Sequence, residues 1–133
     1  MRILAVSYML PPMLYPQAIQ IGRLLQHSRH QIISLTGSAS ADEPTISDAV
    51  ARPQPRRIAV PLPDARTPGL RAWCQRYVPL YGAMPDGYRP WIEPARRAIT
   101  ADMNSGNWRP DLLVTFGEPM SDHLLGWQLK QAF

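Results

Sequence analysis
The chain has little with which to staple itself, cross a membrane or capture a metal. Its 133 residues include one cysteine, Cys74. That excludes an intramolecular disulfide and removes any argument for secretion, and Cys74 reads as a semi-buried structural thiol. No run of about 18 apolar residues occurs, so no spanning helix is expected. Arg2 precedes only a short apolar strand, not the core of a signal peptide. No Gly-x-Gly-x-x-Gly follows the opening strand, which counts against a dinucleotide site. No serine lies in a Gly-x-Ser-x-Gly elbow, and no nucleophile–base pair is visible. His27 and His30 lie close together, but the second falls beyond a helix end with no acidic partner near. No metal and no cofactor is expected.

Proline, by contrast, is abundant: fifteen residues, clustered between elements. The length suits one domain with a real core, spanning 1–133. The hydrophobic share of 45% is ordinary for a globular protein. The net charge is +4, and thirteen of the fourteen basic residues are arginine. This balance favours anionic partners such as phosphorylated sugars, lipid head groups or nucleic acid, and it is too small to choose among them. The Arg56–Arg57 and Arg96–Arg97 doublets read as solvated faces.

The order of elements is α/β. Residues 3–8 form a continuous apolar run, the mark of a strand covered on both faces. Pro11, Pro12 and Pro16 forbid helix over 9–15, and Pro16 suits a first helical turn. Ala18, Ile21, Leu24 and Leu25 then make an apolar stripe, and 28–30 end the helix. Residues 31–36 read as a second buried strand, so the unit is a right-handed parallel crossover. Residues 37–55 read as a long loop. Residues 57–60 are a weak third strand, stopped by Pro61 and Pro63. Residues 67–81 hold at most a short helical piece, and 85–90 a turn-rich connector. A helix is predicted over 91–105, with Trp91, Ile92, Ala95, Ala98, Ile99, Asp102 and Met103 inward and Gly106 ending it. Residues 111–116 read as a strong buried strand. A last helix over 119–131 turns Met120, Leu124, Trp127 and Leu125 inward.

Three stretches together resemble the N-terminal domain of a family 4 glycosyltransferase, in the subfamily 4-like branch of the GT-B fold. The first is Val6-Ser7-Tyr8, Pro11-Pro12, Pro16-Gln17-Ala18, Leu24-Leu25, His30 and the strand ending at Thr36. The second is Pro85-Asp86-Gly87-Tyr88-Arg89-Pro90-Trp91 with its helix. The third is Pro110-Asp111-Leu112-Leu113-Val114-Thr115, followed by Gly117, Pro119, Ser121 and His123-Leu124-Leu125-Gly126. The likeness covers nearly the whole chain and is weak over 37–80. It implies the acceptor-side half of a GT-B enzyme: a Rossmann-like parallel sheet with helices on both faces, incomplete at the C-terminus. The parent enzyme would move a sugar from a nucleotide-sugar to a glycan or lipid-linked acceptor, as in cell-envelope polysaccharide synthesis. Its donor would be held mainly by a C-terminal domain. The chain stops at Phe133, where members of the family continue into further strands, so it reads as a fragment or truncation, inactive alone. The alternative is a stand-alone Rossmann-like module that binds a ligand or partner without catalysis. The expected location is cytoplasmic, with peripheral contact on the inner face of a membrane and no nucleic-acid partner.

The crevice beyond the carboxyl ends of the strands is the ligand site in such sheets. There the resemblance and the topology together select Tyr15, Gln17, Gly117, Glu118, Ser121 and His123 as substrate-binding residues. Helix-start amides near Met120 and Ser121 offer a weakly positive end. Glu118 either accepts hydrogen bonds from sugar hydroxyls or only complements the helix dipole. His123 is either a substrate contact or a surface residue. Trp91 and Trp127 read as core. No catalytic residue is assigned.

Overall fold
The computed structural model describes residues 1–39, 56–63 and 86–132. The loop read over 37–55 begins one residue too early, since Gly37 still belongs to a strand; its residues 40–55, the short helical piece read over 67–81 and Cys74 lie outside the described residues. The elements are β1 (Arg2–Val6), α1 (Pro16–Gln26), β2 (Gln31–Gly37) and β3 (Arg56–Val60). A 3-10 turn (Arg89–Trp91) then leads into α2 (Ile92–Gly106), β4 (Leu112–Thr115) and α3 (Ser121–Ala132).

The four strands form one sheet in the order β3-β2-β1-β4. Every pairing is parallel, with Ile3 opposite both Ile32 and Leu112, and Leu35 opposite Ile58. β1 therefore sits between β2 and β4, as the apolar runs imply. Helices cover both faces. On one face Ile21 and Leu25 of α1 meet Ala5, Leu10 and Ile32. On the other, Trp91, Ile99 and Met103 of the α2 segment and Leu125 and Leu129 of α3 meet Leu4, Val6, Ile33 and Leu35. This is the α/β, Rossmann-like arrangement.

The inward faces differ from the spacing-based expectation in particular ways. Leu24 is exposed, and Gly22 takes its place on the buried side of α1. Stepping 100° per residue carries position 24 far from the face that 18, 21 and 25 share. α2 runs through Gly106, and Asn107 closes it in the left-handed conformation at φ 46°, a position Asn tolerates well. Asp102 lies only partly inward, accepting from the Trp108 indole at 2.9 Å and pairing with Arg56. In α3 the error is larger. Met120 and Trp127 are 52% and 60% exposed, whereas Asp122, Leu125, Gly126 and Leu129 are buried. β4 is also not fully buried: Leu112 is exposed and the next three residues are half-buried. It forms an outer edge of the described sheet.

Gly126 shows how tightly α3 lies on that strand. A Cβ there would collide with Thr115 Cγ2 and crowd Leu113 Cδ2. In an exposed helix Gly→Ala would stabilise by about 1 kcal/mol. Here the collision reverses the sign, because a strand methyl must move. Gly126→Ala is expected to lower stability by about 1–3 kcal/mol, read from urea midpoints; an unchanged or raised midpoint would contradict the packing.

Candidate functional site
The site is built where β1 and β4 release their chains. β1 runs into a proline-rich loop that is pinned on both sides of the sheet. Leu10 is buried in the α1-side cluster and Met13 in the opposite one. The loop also closes on itself, Met13 N–H donating to the Leu10 carbonyl at 3.1 Å. The Arg57 guanidinium of β3 donates to the Pro11 carbonyl at 2.6 Å, so this arginine anchors the loop and is not a purely solvated charge. Pro11–Pro12 and Glu118–Pro119, one in each loop, are cis peptide bonds.

The two loops meet. Gln17, in the first turn of α1, donates from Nε2 to the Glu118 carbonyl at 3.2 Å. This bond joins the 9–17 and 117–121 segments at one edge of the sheet.

A buried carboxyl group fixes the floor. Asp122 is completely buried. Both its oxygens lie within reach of the Tyr8 N–H, at 3.0 and 3.1 Å. Tyr8 is the second residue beyond β1, and its carbonyl accepts from the Gly37 N–H and the Thr36 hydroxyl. Its ring packs on the Tyr88 ring at 4.4 Å and edge-on to Trp91 at 5.3 Å. Desolvation pushes the Asp122 carboxyl up to about 8, opposed by the Tyr8 amide and the Ser7 hydroxyl and helped by the charge of nearby Asp86.

Asp86 occupies the start of α3. Its oxygens accept from the Ser121 N–H at 2.8 Å and the Ser121 hydroxyl at 2.6 Å. It also accepts from the Tyr88 N–H at 2.9 Å, closing its own turn. The amides of Asp122 and His123 donate to the Pro119 and Met120 carbonyls. The amino end of α3 thus holds an internal anion at Ser121. The sequence-based expectation of a free Ser121 amide is corrected: a carboxylate from 35 positions upstream already fills that place.

The six expected residues fall out as follows. Gln17 and Glu118 touch, through the Glu118 carbonyl, while the Glu118 residue is exposed. Gly117 beside them is exposed, and a Cβ there would meet only His123 Nε2 at 3.8 Å. His123 is exposed, with Nδ1 2.6 Å from the Thr115 hydroxyl. Tyr15 is half-buried and packs on the core at the head of α1. Ser121 is buried and spends its hydroxyl on Asp86. Asp86, Asp122, Ser7 and Thr36 were not anticipated. An acid in the first turn of a helix that follows a strand was the available signal for Asp122; nothing local signalled its partner.

The chemistry on offer is polar: an amide side chain, a carbonyl edge, the exposed Glu118 side chain and an imidazole beside a hydroxyl. Among the described residues no group of acidic, histidine or cysteine side chains could hold a metal. Two cavities lie nearby, and the second of them reaches Thr115 and His123. One of about 350 Å³ sits under the amino ends of the strands, beside Arg2, Gln31 and Trp108. The other, of about 490 Å³, follows the outer edge of β4. Topology and residue chemistry favour the carboxyl edge over either as the ligand site. No family model, curated protein or solved structure matches the chain.

The raised carboxyl has a thermodynamic consequence. The unfolded chain releases this proton near pH 4 and the folded chain near 8. The folded state therefore binds more protons between these values, and stability falls as pH rises through that window. The slope from one such group is at most about 1.4 kcal/mol per pH unit. Glu93, held down to about 2 by the Arg96 and Arg97 guanidiniums, acts in the opposite sense, below pH 5. Thermal unfolding from pH 5 to 8 should show the decline, and Asp122→Asn should flatten it. Equal slopes for both proteins would refute the assignment to Asp122.

Proposed function
We propose that this chain is the acceptor-binding half of a GT-B glycosyltransferase of the family 4 type. One observation carries the reading: the Gln17–Glu118 hydrogen bond that brings the β1 and β4 exit loops together at the carboxyl edge of a parallel sheet. The likeness of the three sequence stretches supports it, and so does the chemistry of the edge. The α3 amino end is taken by Asp86, so a donor phosphate would find a carboxylate in its way. Hydroxyl groups meet better partners in the Gln17 amide, the exposed Glu118 and the His123–Thr115 pair. The ligand of this half is then a glycan or a lipid-linked sugar, and the nucleotide-sugar binds chiefly to a second, donor-side domain. Transfer requires both held in one cleft, since positioning supplies much of the rate. No helix among the described residues is long and apolar enough to cross a membrane. A lipid-linked acceptor would be reached by peripheral contact, with the net charge of +4 favouring an anionic surface.

Saturation-transfer NMR with an oligosaccharide panel tests this. At least one glycan is expected to bind, with UDP-sugars and GDP-sugars weaker, and Gln17→Ala and His123→Ala should each weaken binding by about tenfold, the value of one or two polar contacts. The chain alone should turn over no nucleotide-sugar. Preferential binding of the nucleotide-sugar would sink the acceptor role. Absence of any glycan binding would favour a non-catalytic module.

Attachment to vesicles containing phosphatidylserine should be detectable at low salt and lost near about 0.15 M, where the screening length is about 8 Å. Sedimentation that shows no attachment at low salt would remove the membrane contact and leave glycan binding untouched.

A further inference from the structure
At the start of α3 an anion is already in place, because Asp86 holds Ser121. The cations of the described residues gather at the opposite end of the sheet. Arg2 opens β1 and Arg56 opens β3. Arg23 and Lys130 lie in the last turns of α1 and α3, and Arg29 and Arg109 lead into β2 and β4. Among the described residues only Asp102 and Asp111 oppose these six at that end, and the other described charges balance, four of each sign. Arg23 and Lys130 answer helix carbonyl ends. Arg2 and Arg56 do not, and both line the cavity of about 350 Å³ under the strands.

The walls of that cavity are fixed by specific contacts. α2 ends at Asn107 in the left-handed conformation. Trp108 then lies back on Gly106, so close that a Cβ there would be 2.8 Å from its Cδ1. The Trp108 indole donates to Asp102 at 2.9 Å, and the same carboxylate takes the Arg56 guanidinium. One acid thus sets both a wall and a cation. Asp111 does the like for Arg2, accepting its backbone N–H at 2.6 Å with the guanidinium 3.9 Å away. The two arginine side chains remain 44% and 55% exposed, and each guanidinium has five N–H donors, more than its acid engages. The Gln31 side-chain amide on the same lining has no partner among the described residues. Ile32, Ile33 and Trp108 supply the apolar lining.

We propose that this cavity is a second ligand site, taking a small phosphate monoester through Arg2, Arg56 and Gln31 with the carbon skeleton against Trp108. The donor set decides the class. A carboxylate is matched by one guanidinium fork. Two guanidiniums and an amide exceed that, and they suit a tetrahedral group with three terminal oxygens and a charge of about −2. The volume lies at the low end for ligand sites, which fits a sugar phosphate or a lipid headgroup. The cavity shares no residue with the crevice, so the inference stands apart from the glycan reading.

NMR titration of the full chain tests it. The soluble probes are inorganic phosphate and glucose 1-phosphate; the headgroup probe is phosphatidylcholine vesicles containing phosphatidic acid. Saturable shifts are expected in the Trp108 indole N–H, the Gln31 side-chain amide and the Arg56 Nε–H, and glucose alone should move none of them. Arg56→Gln should weaken phosphate binding by about tenfold or more, the scale of a lost charge-assisted hydrogen bond, and Gln31→Leu by a smaller factor. Arg29→Gln removes the same charge from the same end of the sheet, outside the cavity, and should change binding by less than about twofold, because exposed charges are screened. All three positions are exposed, and circular dichroism confirms that each variant is folded. Soluble esters that saturate the site while the vesicles leave it untouched mark a free phosphate ester as the ligand. Vesicle attachment that glucose 1-phosphate competes away and Arg56→Gln abolishes marks a headgroup. Absence of saturable shifts with every probe overturns the proposal. Equal losses in Arg56→Gln and Arg29→Gln overturn it as well, since the anion would then be held by the whole edge and not by the cavity.

Discussion

One buried carboxyl group decides how the parts of this molecule meet. Asp122 sits in the first turn of α3, and Tyr8 lies just past the end of β1, 114 positions away. At that point the β1 backbone leaves the ladder, and its N–H needs an acceptor. Asp122 supplies it at 3.0 Å. The Tyr8 carbonyl is satisfied from the other side by β2, through Gly37 and Thr36. Tyr8 is thus held between α3 and β2, and its ring is left only one place to go. It lies so close over Gly37 that a Cβ there would be 2.5 Å from the ring. Tyr88 and Trp91 then pack on the ring, and the Trp91 indole donates to the Val60 carbonyl at 3.0 Å. A chain of contacts that begins at one carboxylate ends at β3, across the whole sheet.

That arrangement costs solvation. A carboxyl removed from water resists ionisation, and Asp86 nearby adds to the resistance. The return is geometric. Asp86 and Asp122 are consecutive claimants on the start of α3: one takes the Ser121 amide and hydroxyl, the other reaches back to β1. Between them they occupy the start of α3. In many α/β proteins the comparable helix end receives an external anion. Here the anion is internal, and this is the physical reason the ligand proposed for the crevice is hydroxyl-rich and not a phosphate.

The fold was largely legible in the residues, because buried parallel strands and amphipathic helices are local patterns. The Ile3–Val6 and Leu112–Thr115 runs, the Pro16 helix start and the Trp91–Met103 stripe each announced an element. Which helix residues face inward was less legible. Trp127 and Met120 carry the right spacing for a core face, but spacing says only that residues share a side. It does not say whether another element covers that side. α3 rests on β4 through Gly126, the residue with no side chain, and this turns its large aromatic outward. The site was half legible. Topology placed Gln17 and Glu118 at one edge. The Asp86–Ser121 and Asp122–Tyr8 bonds join residues 35 and 114 positions apart, and no local pattern carries such information.

The same reasoning explains why the sheet edges matter for specificity. An edge strand in water can be kept alone only by making pairing unfavourable, and β3 does so with arginines whose charge is held in place. Arg56 is bound to Asp102 and Arg57 to the Pro11 carbonyl. These contacts carry one guanidinium to α2 and the other to the proline loop, so the arginines of β3 also hold the crevice loop. β4 has the reverse character. Its inner side is committed to β1 and one face to Gly126, and among the described residues its other side is an apolar edge beside an exposed tryptophan. Burial of Leu112 and Trp127 would gain roughly 25 cal/mol for each Å² removed from water. The two edges of the described sheet thus differ in charge and polarity, and the β3 edge with its arginines is the one that also holds the crevice loop.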